Sequence, residues 1–190
     1  MFEVAEQGCL RDDDGVTRSD TSKLLLGDWA CLGILYPART HGFAIAARLK
    51  PTGDIGRIWS LSRPLTYRSL EHLTSAGFVQ PIGEEPGLAG GNRTILAATR
   101  SGRAQLRKWL DTPVAHLRDL RSELLLKLVI AENCEIDVSA MLTRQSELVV
   151  GLAATIADQA ESQGTSDVVA LWRHESSQAA LRFLERLQRG

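Results

Sequence analysis

Cysteine is scarce in this sequence, and its spacing excludes two common scaffolds of small proteins. The 190 residues contain three cysteines, Cys9, Cys31 and Cys134, which lie far apart. An odd, widely spaced set forms neither a paired disulfide framework nor the close ligand spacing of a zinc site. We therefore expect unreactive thiols, and neither a metal nor any other cofactor.

Long apolar runs are also missing. The longest, Leu124–Ala131, is interrupted by Lys127 and is well short of the ~20 residues that span a bilayer. At the N-terminus, Glu3 and Glu6 occupy the place of the basic region of a secretory signal. With an ordinary hydrophobic content of 44%, the chain is predicted to be a globular cytoplasmic protein without a membrane segment.

The third absence is a catalytic constellation. The four histidines are isolated from one another and from potential metal ligands. His174, Glu175 and Ser176 are consecutive, so on a helix they would point to different faces. Because no serine, histidine and acid set converges in the pattern, we expect a protein that is not an enzyme.

Charge is distributed unevenly along the chain. Residues 21–110 carry twelve basic and five acidic side chains, residues 1–20 carry two and six, and residues 111–190 carry eight and twelve. A basic segment between acidic ones is typical of a polyanion-binding module beside a module with another task, although a solvated surface gives the same pattern. We predict a mobile acidic tail over 1–20, a domain over 21–112 and a second domain over 113–190, with the boundary at Pro113.

Two short helices are predicted at the start of the basic segment. The first carries an apolar stripe from Leu24 to Leu35 and is expected to be capped by Thr21 or Ser22. The second is predicted over His41–Leu49, where a Pro-Thr-Gly sequence follows and stops it.

The third helix has two different faces. Ser62 is expected to cap its first turn, Pro64 suits that turn, and Gly77 ends the helix. Apolar residues at roughly helical spacing form the predicted buried stripe, which comprises Leu61, Leu65, Leu70, Leu73 and Ala76. The outward side carries hydroxyls and guanidiniums, from Ser62, Arg63, Thr66, Tyr67 and Arg68. Such a pattern suits a DNA recognition helix. By itself, however, it is more often found in an ordinary amphipathic surface helix.

A hairpin is predicted after this helix. Phe78–Ile82 and Arg93–Ala98 are prone to form strands, and Gly83–Asn92 reads as a long flexible tip. Three helices followed by a two-stranded hairpin make the winged variant of the helix-turn-helix. In that fold the third helix enters the major groove of DNA and the wing lies along the adjoining backbone.

The wing is predicted to contact DNA through its later half. Asn92 and Arg93 lie where the second strand leaves the tip, in a position to meet phosphate. Glu84 and Glu85 lie in the earlier half and would repel phosphate, which argues against contact along the whole loop. Thr99 then caps a fourth helix that continues to Leu110.

The chain after Pro113 is predicted to be almost entirely helical. One apolar stripe runs from Leu117 to Ala131, and a last helix is expected to begin after a Ser166 cap. Between them a heptad-like seam has alternating steps of four and three, through Val138, Leu142, Gln145, Val149, Leu152, Ile156 and Gln159. These helices could fold on each other or pair with a second subunit, and the seam favours a homodimer. Two recognition helices would then reach half-sites about 10 bp apart or a multiple of it.

Several motifs in this order resemble the PadR-like transcriptional regulators over nearly all of residues 24 to 188. The resemblance is carried by Leu32–Leu35, His41–Phe43, Ser62–Arg68 with Leu70, Leu73 and Gly77, Arg93, Thr99–Arg103 and Arg118–Lys127. The chain departs from the family at Phe43, where the family has Tyr, at Ile95–Leu96, where Tyr is frequent, and at Arg100, where Pro is usual. The resemblance implies a repressor whose C-terminal helices form the dimer, and release by a small aromatic or drug-like effector.

These observations together predict a mainly α protein with an N-terminal winged helix-turn-helix and a C-terminal helical dimerisation domain. Its function would be sequence-specific binding of double-stranded DNA, as a homodimer on a palindromic operator. The predicted DNA-binding residues are Ser62, Arg63, Thr66, Tyr67, Arg68, Asn92 and Arg93. Trp109 and Trp172, near the junction of the two modules, are candidates for an effector pocket. The alternative is a winged-helix module that binds a basic protein through Glu84 and Glu85 and does not bind DNA.

Overall fold

The computed structural model describes residues 24–87, 91–163 and 167–189. Its elements are α1 (Leu26–Leu35), β1 (Thr40–His41), α2 (Gly42–Arg48), α3 (Arg63–Ser75), β2 (Val79–Pro86), β3 (Asn92–Ala98), α4 (Arg100–Asp111), α5 (Leu125–Asn133), α6 (Ser139–Gln163) and α7 (Val168–Arg189). The prediction of a mainly α fold with an N-terminal winged helix-turn-helix and C-terminal helices is confirmed. The predicted acidic tail, the predicted caps Thr21, Ser22 and Ser166, and Cys9 lie outside the described residues. Among the described helices, none combines the length and apolarity needed to cross a bilayer.

Helix α1 begins at Leu26 and is stabilised by Asp28, the acidic residue that interrupts its apolar pattern. Asp28 is buried, and its Oδ2 accepts a hydrogen bond from the backbone N–H of Leu25 at 2.9 Å. This bond satisfies one of the amide groups that a helix N-terminus leaves without an intrahelical partner. The carboxylate near the positive end of the helix dipole adds to the stabilisation.

The connection between α2 and α3 is compact and fixes the angle of the two helices. Gly56 N–H donates to the Arg48 carbonyl at 3.0 Å, and Leu61 N–H donates to the Leu49 carbonyl at 2.9 Å. A Cβ on Gly56 would lie 1.8 Å from the Lys50 carbonyl oxygen, so the backbone approaches here more closely than any side chain allows. The two helices therefore form one unit, with α3 presented at its edge.

The wing is longer and more regular than its sequence predicts. β2 and β3 are antiparallel and paired from Val79 opposite Ala98 to Pro86 opposite Asn92, with an irregularity between Pro81 and Gly83. The predicted flexible tip over Gly83–Asn92 is therefore wrong for its first half, because ladder hydrogen bonds extend the strand through Glu84 and Glu85. The two-residue strand β1, which was not predicted, adds a third strand on the far side of β3.

The first hydrophobic core surrounds α1. Trp29 of α1 stacks on Trp109 of α4 with ring centroids 4.7 Å apart and planes within 5°. The C-terminal end of α1 is held to α4 by two guanidiniums, since Arg107 Nε donates to the Tyr36 hydroxyl at 2.6 Å and Arg103 Nη1 donates to the Tyr36 carbonyl. These two cations of the basic segment therefore have a structural partner in the fold.

Helix α5 joins the first core even though it follows the predicted domain boundary. Leu126, Ile130 and Ala131 are buried with residues of α1. The helical stripe predicted from Leu117 to Ala131 is interrupted, because a 3-10 turn (Leu117–Asp119) and a π-helical turn (Leu120–Leu124) precede α5. The division between residues 112 and 113 stays a prediction.

The second core lies between α6, α7 and the segment after α4. It contains Val114, Leu124, Met141, Val149 and Leu184. Gln145, predicted as a polar position of an intersubunit seam, is instead fully buried within its own chain. Its side chain accepts from Val114 N–H at 2.6 Å and donates to the Val114 carbonyl at 3.0 Å. The early part of the seam therefore packs inside the subunit, because the bend after α4 brings residue 114 over α6.

Helix α7 buries one face against α6 and exposes apolar side chains on the other. Ser177 and Leu184 are buried. The exposed apolar side chains are Val168, Val169, Leu171, Trp172, Phe183 and Leu187, with Trp172 73% exposed. Such a stripe on a long helix is the usual mark of a surface that another helix covers.

Candidate nucleic-acid interface

Helix α3 exposes most of the residues predicted to face DNA, with one exchange. Thr66 is 0% exposed and its hydroxyl donates to the Ser62 carbonyl at 3.1 Å, so its predicted place on the outward face is wrong. Leu65, predicted in the buried stripe, is 48% exposed. The reason is helical geometry: Thr66 precedes Leu70 by four residues and Leu73 by seven, which places it on their face, and Leu65 is rotated away by ~100°.

The remaining predicted residues of α3 are all on the surface. Ser62, Arg63, Tyr67 and Arg68 are exposed. Ser62 occupies the N-cap position by its backbone, but its side chain makes no capping hydrogen bond. The predicted C-terminal stop is confirmed, because Gly77 adopts a φ of 72° directly after the helix.

A groove of about 840 Å³ separates α3 from the wing. Its walls come from the start of α2, the outward side of α3 and the start of β3. The lining includes His41, Phe43, Arg63, Tyr67, Asn92 and Arg93, and also Glu71, two turns after Arg63 on α3. The groove thus brings together Arg63, Tyr67, Asn92 and Arg93, whereas the predicted residues Ser62 and Arg68 do not line it.

Two guanidiniums from different elements meet over one aromatic ring in this groove. The guanidinium carbon of Arg63 lies 5.4 Å from the centroid of the Phe43 ring, and that of Arg93 lies 5.8 Å from it. Arg63 also lies 5.8 Å from the Tyr67 ring centroid. Both distances to Phe43 are within the range in which a cation is attracted to an aromatic face.

The arginines proposed to face DNA have no acidic partner within the described part of the chain. The ion pairs there do not involve Arg63, Arg68 or Arg93. By contrast, Arg48 of α2 is paired with Asp54, and this hydrogen-bonded guanidinium lowers the pKa of the Asp54 carboxyl group. The three cations are therefore free to neutralise an external anion.

His41 is structural, as its sequence position predicts, and its hydrogen bonds fix its tautomer. His41 Nδ1 accepts from Ala44 N–H at 3.1 Å and so caps α2. The neutral ring must then carry its proton on Nε2, which faces Glu85 Oε1 at 3.6 Å. Arg93 Nη1 lies 3.4 Å from the same Nε2, but two donors do not form a hydrogen bond, so His41 does not hold the guanidinium.

Asn92 is engaged within the wing. Its Nδ2 donates to Glu84 Oε2 at 2.7 Å across the strand pair. Because the amide is neutral, Glu84 keeps its negative charge. The hydrogen bond means that a direct contact from Asn92 to DNA would have to replace an existing partner.

A buried acid ties α3 to the core. Asp28 Oδ2, which receives the Leu25 amide, also lies 2.9 Å from His72 Nδ1 of α3. The prediction that His72 lies outside the reading face agrees with this contact. The pair joins α1 to the later half of α3, so it fixes the helix whose earlier half carries the exposed cations.

Trp109 and Trp172 do not share a pocket. Trp109 is stacked in the first core and lies under Lys127, whose Nζ is 4.9 Å from its ring centroid. Trp172 lines a separate cavity of about 860 Å³ between α6, α7 and the turns before α5. The cavity has an apolar floor, including Leu120, Leu152 and Ile156, and four basic lining residues, His116, Arg118, Arg121 and Arg173. The prediction is therefore corrected for Trp109 and left open for Trp172.

The two described thiols are poor nucleophiles. Burial raises the pKa of Cys31, and burial raises the pKa of the Cys134 thiol to about 11. Both are consequently protonated at neutral pH, and a thiol is much less reactive than a thiolate. Across the described residues, no three His, Cys, Asp or Glu side chains are grouped as metal ligands.

Phe43 is the functional candidate that reasoning from the sequence missed. In the sequence it stands out only as a departure from a family motif, and it belongs to no periodic pattern. The available signal is an aromatic residue near the start of a short predicted helix, two positions after His41. Its role becomes visible only when α2, α3 and β3 are brought together.

Comparison with known proteins gives matches to solved structures only. No family model matches the chain, and no curated protein matches it. PadR of Bacillus subtilis in complex with operator DNA is 20% identical, with a TM-score of 0.44 over 85% of this chain and 97% of that one. A second structure of B. subtilis PadR is 19% identical, with a TM-score of 0.39 over 86% and 93%. The protein smu.1604c of Streptococcus mutans is 15% identical, with a TM-score of 0.42 over 87% and 100%.

The family name that the sequence motifs suggest is thus also the name of two of these structures. At such identities and TM-scores the matches carry no argument about function.

Proposed function

We propose that this protein is a DNA-binding transcriptional regulator that reads an operator with α3 and clamps its backbone with the wing. The observation that carries the proposal is the set of three guanidiniums, Arg63, Arg68 and Arg93, with no carboxylate partner among the described residues. They come from a helix and from a strand that border one groove. Arginine reads guanine edges and binds phosphate bidentately, so this arrangement suits a duplex.

The protein acts on DNA as a homodimer. The apolar side chains exposed on α7, among them Trp172, Phe183 and Leu187, need a partner surface, and an identical helix offers a complementary apolar stripe. A two-fold pair would place two α3 helices on two half-sites of a palindrome. Binding at a promoter would block transcription, which makes the protein a repressor that works in the cytoplasm.

Release from DNA would be controlled by a small molecule bound beside Trp172. The cavity there combines apolar walls with three arginines and a histidine, and its described lining contains no acid. An aromatic carboxylate fits this chemistry, because its ring packs on the apolar floor while its charge meets a guanidinium. Ligand binding between α6 and α7 would change the separation of the two recognition helices.

A fluorescence titration tests this site. Benzoate-type acids should quench the fluorescence of Trp172, and the quenching should be absent from Trp172→Phe. An unchanged spectrum at millimolar concentration would exclude the site.

Selection of genomic DNA fragments by the purified full-length protein tests the function itself. Recovery of a palindromic sequence is the expected result, and recovery of none would favour the alternative of a protein-binding winged helix. Arg63→Ala with Arg68→Ala is expected to abolish specific binding while the helical spectrum and the dimer remain intact. Lys108→Ala is the control, because it removes an exposed cation of α4 that lies outside α3 and the wing.

The wing contact has a separate signature. Arg93→Ala should weaken binding equally on all sequences and make the slope of log affinity against log salt shallower by about one unit, as loss of one phosphate contact predicts. Fluorescence anisotropy at several salt concentrations measures this slope. An unchanged slope would remove Arg93 from the proposed interface.

A further inference from the structure

We propose that Phe43 is a positioning residue that sets the spacing between Arg63 of α3 and Arg93 of the wing, so that DNA affinity depends on an aromatic ring through the two cations it supports. The inference rests on the proposed DNA-binding function. It concerns a residue of α2, the helix that lies behind the recognition helix.

The first support is that burial does not explain the ring. Phe43 is 50% exposed, although the core beside it is well filled by Ile45 and Leu49 of the same region. The groove around the ring is lined by polar and charged side chains as well as by Leu70 and Leu96, and the exposed part of an apolar ring costs free energy unless it has a partner. Its partners are the two guanidiniums and the His41 ring, whose centroid lies 6.3 Å from that of Phe43 with the planes tilted by 36°.

The second support is the position of the ring between two elements. Arg63 begins α3 and Arg93 lies in β3, so the two cations are separated by 29 residues of intervening chain and by the groove. Their guanidinium carbons lie 5.4 Å and 5.8 Å from the same ring centroid. A single side chain thus contributes to the orientation of one cation from the helix and one from the wing.

The third support is that Arg93 has little else to hold it. The tautomer of His41 makes its Nε2 a donor, so the nearby Arg93 guanidinium gains no hydrogen bond there. Within the described chain, no ion pair joins Arg93 or Arg63 to a carboxylate. The electron-rich face of Phe43 is therefore the contact that both guanidiniums share.

The fourth support is electrostatic. Two like charges brought to one ring repel each other, and an anion between or beside them relieves that repulsion. The ring keeps the cations together before the anion arrives, so less ordering of long side chains is needed upon binding. A phosphate of the DNA backbone is the anion that the proposed function supplies.

The experiment compares Phe43→Leu with Phe43→Tyr in the full-length protein. Leucine keeps an apolar side chain and removes the aromatic face, whereas tyrosine keeps the face. Binding is measured by anisotropy with the selected operator fragment. We expect about a tenfold loss of affinity for Phe43→Leu and about a twofold change or less for Phe43→Tyr, as two exposed cation–aromatic contacts predict. Equal affinities of all three proteins would overturn the inference.

Double-mutant cycles distinguish positioning from direct contact with a base. If Phe43 acts through the cations, Phe43→Leu costs much less in a protein that already carries Arg63→Ala and Arg93→Ala. If the ring touches DNA on its own account, the losses add, and the positioning role is wrong. Thermal unfolding of each variant shows whether a loss of affinity is merely a loss of fold.

A measurement without DNA separates this inference from the proposed function. Side-chain protons of Arg93 should show upfield ring-current shifts in the NMR spectrum of the free protein, retained in Phe43→Tyr and lost in Phe43→Leu, whereas those of Arg63 should keep the part that the Tyr67 ring contributes. Shifts without any DNA binding would contradict the proposed function and leave the contact standing. DNA binding by a wild-type protein that lacks the shifts would contradict the inference alone.

Discussion

Helices α3 and α7 are built on the same principle and present opposite kinds of surface. Each buries one face, with Leu70 and Leu73 in α3 and Leu184 in α7. The exposed face of α3 carries cations and hydroxyls, and that of α7 carries large apolar side chains. The buried faces fix where the helices lie, because removing apolar area from water is favourable and non-directional. The exposed faces carry the two proposed contacts, with a polyanion in one case and with an apolar helix in the other.

The largest expected effect on stability comes from replacing a buried residue of α7, and the adjacent exposed residue provides the comparison. Leu184→Ala should lower the free energy of unfolding by about 2–5 kcal/mol, as expected for a large-to-small change in a core. Phe183→Ala should leave the fold of the subunit nearly unchanged and weaken the homodimer. Chemical denaturation and analytical ultracentrifugation measure the two quantities. A dimer that is unaffected by Phe183→Ala would show that the exposed face of α7 has another occupant.

An intermediate effect concerns the attachment of α3 to α1. Asp28→Ala leaves the Leu25 amide and His72 without their shared acceptor and should cost about 1–3 kcal/mol of stability. His72→Ala keeps the bond to Leu25 and should cost less. Urea unfolding of both variants provides the comparison. If His72→Ala costs as much as Asp28→Ala, the bond across the helices, and not the bond at the start of α1, dominates.

The smallest expected effect concerns Cys134, which packs against the first core, the core that also holds α3. Burial raises the pKa of Cys134 from 9.0 to about 11. Since the folded state holds this proton more tightly, the thiol's stabilising contribution is complete below pH 9 and is lost as the pH rises towards 11. Melting temperatures of the wild type and Cys134→Ala, measured from pH 8 upwards, should therefore converge. A difference that stays constant would mean that the thiol is not protected in the fold.

Features that depend on neighbouring residues are predicted correctly from the sequence, and features that depend on distant residues are not. The order of helices and hairpin, the end of α3 at Gly77 and the Thr99 cap of α4 were predicted and are found, because each depends on residues within a few positions of one another. The predicted placement of Thr66 on the outward face is wrong. That prediction follows from the residue type, whereas the spacing of Thr66 from Leu70 and Leu73 places it on the buried face. The heptad-like pattern predicts Gln145 as an intersubunit position. This is wrong because its partner, Val114, lies 31 residues away and no local pattern indicates that contact.

The sequence by itself determined the mainly helical fold, the winged helix-turn-helix and the identity of the exposed arginines, because helical periodicity, caps and turn residues are local properties of the chain. Only the tertiary structure decided which side chains share a surface. It brought Phe43 between Arg63 and Arg93, placed Trp109 in the core and Trp172 beside a basic cavity, and turned Gln145 towards its own subunit. The physical reason is that such contacts join segments distant in the chain, and their geometry follows from how the buried faces pack.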